Sequence, residues 1–322
     1  MAWYGAVRWS TGALEEGLTP EGVRRALEEP GSVAWLDAES APADEIQALE
    51  GLFGFHPLAV EDVQNPATRP KIEEFDSFLF LVTRACNPAP GEQVLDLVPL
   101  FVFLNKRLIV TVHDRPMPSI ATARERLRKH PEVLSGGPDR LLHHVLDQVV
   151  DHFFPIVESL DDRVEALEDD VFTRPRPDIL VRIFDTRKDL AVLRRSLGPL
   201  REVVSNLMSG VPYVDDDLRP FFRDVYDHVL RILDEVDANR DVLSGLLDSY
   251  LSQVNNRLSE AMKTLTALAT IGLPFTIVSG FFGMNFERLP WIKQPWGVPA
   301  AIALMVVLSG TLYVVLRSRR WL

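Results

Sequence analysis

Charged residues vanish from two stretches near the C-terminal end of the chain. From Thr264 to Phe286 no side chain is charged, and after ten residues a second uncharged run extends from Gly297 to Leu316. Each is about the 20 apolar residues that a helix needs to cross a bilayer. Two spans joined by so short a loop predict a membrane hairpin that follows a large domain lying on one side. Before it, from Arg219 to Phe282, helical spacing is interrupted beyond its first turn, which holds Pro220, only by Pro274 and scattered glycines. At 1.5 Å per residue such a helix is on the order of 90 Å long. That is too long for an internal core element, so it is expected to pack against copies of itself and run on into the membrane.

Upstream the pattern is mixed. Val33 to Leu36 reads as a strand; Ala43 to Phe53 has helical spacing, with Ile46, Leu49 and Phe53 on one face. Pro57 to Val63 predicts a short helix with proline in its first turn. Phe78 to Thr83 is a continuous apolar strand, and Leu95–Leu104 with Leu108–His113 predicts a hairpin turning at Asn105-Lys106. Ser119 to Lys129 is a basic amphipathic helix. Strands alternating with helices indicate an α/β layer. Ser135-Gly136-Gly137-Pro138 ends this region. One long helix is then expected from Asp139 to Phe172, a stop at Thr173–Pro177, a second helix from Asp178 to Met208, and a break at Ser209–Pro212.

The expected organisation is an α/β domain over 1–135, antiparallel long helices over 136–212, a stalk helix continuing into the first span over 213–283, an outer loop over 284–296, a second span over 297–316 and a basic tail over 317–322. Arg317, Arg319 and Arg320 place that tail in the cytoplasm by the positive-inside rule, and two spans return the N-terminal domain to the same side. Trp291, Trp296 and Trp321 lie where interfacial aromatics are expected. The N-terminal stretch MAWYGAVRWSTGALEEG lacks the basic start and apolar core of a secretory signal.

Composition narrows the chemistry. A net charge of −12 argues against nucleic acid as a partner. The single cysteine, Cys86, rules out an internal disulfide, suits a reducing compartment and is expected to be a small buried hydrophobe. No phosphate-binding glycine loop, nucleophile elbow or zinc-type Cys/His spacing is found, so neither enzymatic activity, ATP-driven transport nor an organic cofactor is expected.

In the first span, Met262, Thr266, Ala269, Leu273, Thr276 and Gly280 recur at three- and four-residue steps and form one stripe of small or flexible side chains. Such a stripe can be a packing seam between helices. The sharper reading is a pore face narrowed by rings of Met262, Leu265 and Leu273, which would gate by dewetting. Pro274 leaves a carbonyl near Thr270 without its hydrogen bond. At the outer end Gly283 can accommodate φ > 0 and end the helix, Met284 follows, and Asn285 offers a neutral carbonyl oxygen. A symmetric ring of such amides could accept hydrogen bonds from the water shell that Mg2+ gives up reluctantly.

These residues carry a resemblance. Tyr250-Leu251-Ser252, Asn256-Arg257, Glu260–Lys263, Leu273-Pro274 and Gly283-Met284-Asn285-Phe286-Glu287, in that order around a first span, resemble the CorA-type magnesium transporter family. The likeness extends to Phe222–His228, to Leu100–His113 and to Phe55–Leu58 running into Glu61-Asp62, and is loosest over the first fifty residues. It implies a funnel-shaped homopentamer in the cytoplasmic (inner) membrane, with five first spans lining the pore and both termini cytoplasmic. It places the selectivity collar at Asn285, aided by Gly283, and the gate on Met262, Leu265, Leu273 and Thr276. It also implies a regulatory metal between subunits at Asp62 and Asp224, with Asp147 as a further acid. Mg2+ would then be both cargo and regulator, with Co2+ and Ni2+ as further ions and a zinc transporter or a non-conducting membrane-anchored sensor as alternatives. Two positions depart from the family pattern: Ser259 replaces an asparagine at the cytoplasmic pore mouth, and Trp291 follows Pro290 where an acid is usual. His143-His144 is set aside as a metal site because adjacent helical residues point about 100° apart. The run from Asp161 to Asp170 is read as a solvated helix face.

Overall fold

The computed structural model describes residues 3–65, 67–87, 95–173, 178–284, 294–319 and 321. Among the described residues seven strands form one mixed sheet: β1 (Trp3–Arg8), β2 (Leu14–Glu16), β3 (Val33–Glu39), β4 (Lys71–Glu74), β5 (Leu79–Asn87), β6 (Asp96–Leu104) and β7 (Leu108–His113). Their order across the sheet is β2-β1-β3-β7-β6-β5-β4. Only β3 and β7 run parallel among these pairs, with Leu36 opposite Val110. The β6–β7 turn is shifted one residue from the expected Asn105-Lys106: the Asn105 N–H donates to the Leu108 carbonyl at 2.8 Å across Lys106-Arg107, and the Asn105 side chain accepts from the backbone N–H of both Arg107 and Leu108.

Alternation along β3 divides the sheet's two faces. Ala34, Leu36 and Ala38 point to a core shared with the short helices α1 (Pro20–Ala26), α2 (Ala43–Phe53) and α3 (Pro57–Val63). Phe55, Phe78, Phe80 and Phe103 fill its centre; the rings of Phe55 and Phe103 stack 4.2 Å apart. α3 begins as expected: His56 Nδ1 accepts from the Leu58 N–H at 3.2 Å and Pro57 opens the first turn. Phe55 in the core and Ala59 and Val60 buried beneath the helix fix α3, leaving Asp62 half-buried at its outer side.

The opposite face meets α4 (Pro118–Lys129), α5 (Pro138–Asp151) and α7 (Ile179–Ser209), and α6 (Phe154–Thr173) packs along α7. The single long helix expected from Asp139 to Phe172 is therefore two. Pro155 has no N–H to offer and disfavours helical geometry in the residue before it, and the chain breaks at His152-Phe153. α5 is anchored by buried Asp139, whose carboxylate accepts from the Asp215 N–H at 2.9 Å just ahead of α8 (Arg219–Phe282). Gly137 makes this possible: its φ is +113°, and a Cβ there would come within 2.5 Å of Asp139 Oδ1. Cys86 is buried, and burial, then the charge of Asp96, pushes its thiol up to about 12.

The chain divides into two compact units, 1–246 and 247–322. The second contains the end of α8 and α9 (Gly297–Ser318), and α8 and α9 are each long and apolar enough to cross a membrane.

Candidate ion pathway and metal-binding cluster

Within 247–322, α8 has two unlike sides. Ala267, Pro274 and Val278 are buried, with Ile271 half-buried between them, and Ser309 of α9 donates to the Ile271 carbonyl at 2.9 Å. That hydroxyl lies one residue on from the carbonyl that Pro274 leaves without an N–H. The stripe residues are on another side. Ser259, Met262, Leu265, Thr266, Ala269, Leu273, Thr276 and Gly280 are all exposed. At about 100° per residue, this stripe is centred roughly 150° around the helix from the side that meets α9. A packing seam toward α9 is thereby excluded for it.

At its C-terminal end, α8 closes through Gly283, whose N–H donates to the Ser279 carbonyl at 2.8 Å, and Met284 follows, exposed. Gly283 ends the helix without using the left-handed conformation that glycine permits; what distinguishes it is space, since a Cβ would stand 3.0 Å from the Ser279 oxygen. Asn285 lies outside the described residues, as do Glu287 and Trp291.

In the first unit, the structure brings two of the three predicted regulatory acids together and adds a third ligand. Asp147 of α5 and Asp224 and His228 of α8 place their ligand atoms within 4.8 Å of one another. Asp224 and His228 are one helical turn apart, so both project from the same face of α8. His228 Nδ1 is buried without a hydrogen-bond partner; the nearest carboxylate oxygen, on Asp151, is 3.7 Å away. Burial, then the negative charge of Asp147, raises the Asp151 carboxyl above its ordinary range. Two carboxylates and an imidazole are a donor set suited to a divalent cation, and the ring nitrogen favours Co2+, Ni2+ or Zn2+ over Mg2+. His228 was missed in the sequence, although its i, i+4 spacing from Asp224 was there to be read.

Asp62 is not part of this cluster. It lines a groove of about 630 Å³ with Glu61, Asn65, Lys71, Glu73 and Glu74, and its Oδ2 accepts from Lys71 Nζ at 2.6 Å. The two histidines set aside as ligands pack instead: the His143 ring meets Phe221 and Phe222 edge-on at 5.5 Å. Burial lowers both imidazoles, and Arg126 helps push His144 down to about 4. In the acidic run of α6, Asp170 pairs with Arg182 of α7 rather than facing only solvent.

A family model described as a CorA-like Mg2+ transporter protein matches residues 30–319. A cobalt/magnesium transport protein, CorA, of Thermotoga maritima is 36% identical over 281 residues, covering 87% of this chain and 80% of its own length. A putative metal ion transporter of Bacillus subtilis is 34% identical, with 85% of each chain covered. Among solved structures, the CorA magnesium transporter of Methanocaldococcus jannaschii superposes with a TM-score of 0.82 over 99% of this chain and 98% of its own, at 24% identity.

Proposed function

The chain belongs to the CorA-like Mg2+ transporter family, a family of membrane transporters, and from that premise we propose that it forms a channel-like homopentamer conducting divalent cations into the cytoplasm. The observation that carries the reading is the stripe on α8 that α9 leaves uncovered. In a ring of five chains that stripe turns inward, the second spans surround the first, and Leu273, Leu265 and Met262 become rings that close the path by excluding water. Asn285 from each chain supplies the outer collar, with Gly283 and Met284 beside it, and holds a still-hydrated Mg2+ through its water shell. The inside-negative membrane potential drives entry, at about 2.3 kcal/mol per charge per 100 mV. The protein lies in the cytoplasmic membrane with both termini inside.

Gating follows from charge. Asp62 of one chain and Asp224 of its neighbour form the regulatory site, and Asp147 and His228 stand beside Asp224. A divalent cation bridging them favours the closed ring; as cytoplasmic Mg2+ falls the bridge is lost and the open state gains. The imidazole gives Co2+ and Ni2+ a route to the same site.

Liposomes containing the purified protein test this directly. They should take up Mg2+, Asn285→Ala should change the rate or the selectivity, and Asp224→Lys should relieve inhibition by internal Mg2+. Absence of uptake, with Asn285→Ala indistinguishable from the parent in ion binding, would leave a non-conducting sensor.

A further inference from the structure

Asp62 carries a partner that a bare metal-sensing carboxylate would not need. Lys71, the first residue of β4, donates to Asp62 Oδ2 at 2.6 Å and to Glu73 Oε1 at 2.8 Å. Both members of the Asp62 pair are only partly exposed, at 31% for Lys71 and 28% for Asp62. The ammonium also lies 5.8 Å from the centre of the Phe80 ring, a core side chain, which keeps the lysine stem against the sheet. Among the described residues lining the groove, Lys71 is the one cation, set amid Glu61, Asp62, Glu73 and Glu74. Its Nζ occupies Oδ2 of Asp62, an oxygen that a metal ion would also need.

We propose that Lys71 is a tethered competitor for the sensor carboxylate, which neutralises Asp62 when no metal bridges the subunits and so sets the cytoplasmic Mg2+ concentration needed for closure. The proposal rests on the regulatory role given to Asp62 above. The physics is an exchange of cations. A divalent ion satisfies Asp62 and retains charge to attract a carboxylate on the neighbouring chain. The ammonium of Lys71 belongs to the same chain as Asp62 and carries a single charge already shared with Glu73. Exchanging one for the other leaves Asp62 satisfied while removing the link between chains. Metal loss therefore does not have to expose a bare carboxylate, and metal binding must displace the ammonium or tolerate it close by, which weakens the site.

The experiment is uptake by the full-length protein in liposomes at stepped internal Mg2+, read as the concentration giving half inhibition. In Lys71→Met that concentration should fall roughly two- to fivefold, the range expected when an ion pair of this exposure is removed from competition. Lys71→Arg, which keeps the charge, should match or exceed the parent value. Lys71→Gln repeats the expectation for Lys71→Met with a side chain that can still donate to Asp62, and uptake without internal Mg2+ shows that each variant assembles. Asp62→Asn should raise the concentration, and adding Lys71→Met to it should produce no fall. If Lys71→Met and Lys71→Gln leave half inhibition unmoved or raise it while Asp62→Asn raises it, Lys71 is merely structural and the sensor stands. If Asp62→Asn is unchanged, the sensor assignment itself is wrong and Lys71 has nothing to compete for.

Discussion

Asp37 lies in β3 with no exposed surface, yet it anchors a buried polar network. Its carboxylate accepts from the Thr111 hydroxyl and from Arg124, and Trp35 Nε1 donates to that same hydroxyl at 3.0 Å. His113 completes the set: Nε2 stands 3.3 Å from Asp37 Oδ1, and Nδ1 is 2.6 Å from the Arg115 carbonyl. Both ring nitrogens face acceptors, which suits the doubly protonated ring. Burial opposes that charge, but the hydrogen bond and attraction of Asp37 outweigh it and raise the pKa above the ordinary 6.5. The stabilisation His113 supplies should thus be complete below about pH 6.5 and fade as pH rises through its higher folded value. Thermal unfolding of the parent and His113→Gln across pH 5.5–9 should show their difference shrinking as pH rises; a constant difference would mean that the ring is neutral throughout. Nothing in the sequence pointed to this network, because Asp37 meets partners 74 to 87 residues away. Asp224 and His228 are the opposite case, a pair four residues apart on one helix whose geometry local spacing already determines.

At the scale of elements, long and strongly patterned segments were legible. The limits of α2, α3 and α8 match the expected ones, and α9 extends two residues beyond its expected end. Short elements were not individually identified: β1, β2, α1 and β4 have three to seven residues each, too few for a period to stand out. The α5–α6 break went unread because Pro155 lies inside a run whose apolar spacing continues on both sides of it. For α8, the two-sided exposure allows a functional prediction. If Leu273 forms a closing ring, a small polar side chain should keep that constriction wet. Leu273→Ser should then raise Mg2+ uptake at inhibiting internal Mg2+ by about tenfold or more, an effect of roughly 1.4 kcal/mol on closure. Uptake no higher than the parent's would place the gate elsewhere on the stripe.

At the scale of the whole molecule, one chain of 36.3 kDa holds every proposed part and completes none of them. The stripe is open on one side, a single amide at Asn285 is a weak ligand, and Asp62 is absent from the cluster around Asp224. In the homopentamer proposed above, copies around a common axis would complete each of them. The most direct measurement is disulfide cross-linking of Ala269→Cys in membranes, with the buried Cys86 left in place. Ala269 is on the uncovered stripe, so mild oxidation should join neighbouring chains into disulfide-linked pairs, the most that one accessible cysteine per chain permits, while Val314→Cys on exposed α9 should give little. Chains that remain single at Ala269 while Val314→Cys cross-links readily would show that the stripe faces lipid, and the shared pore would be contradicted.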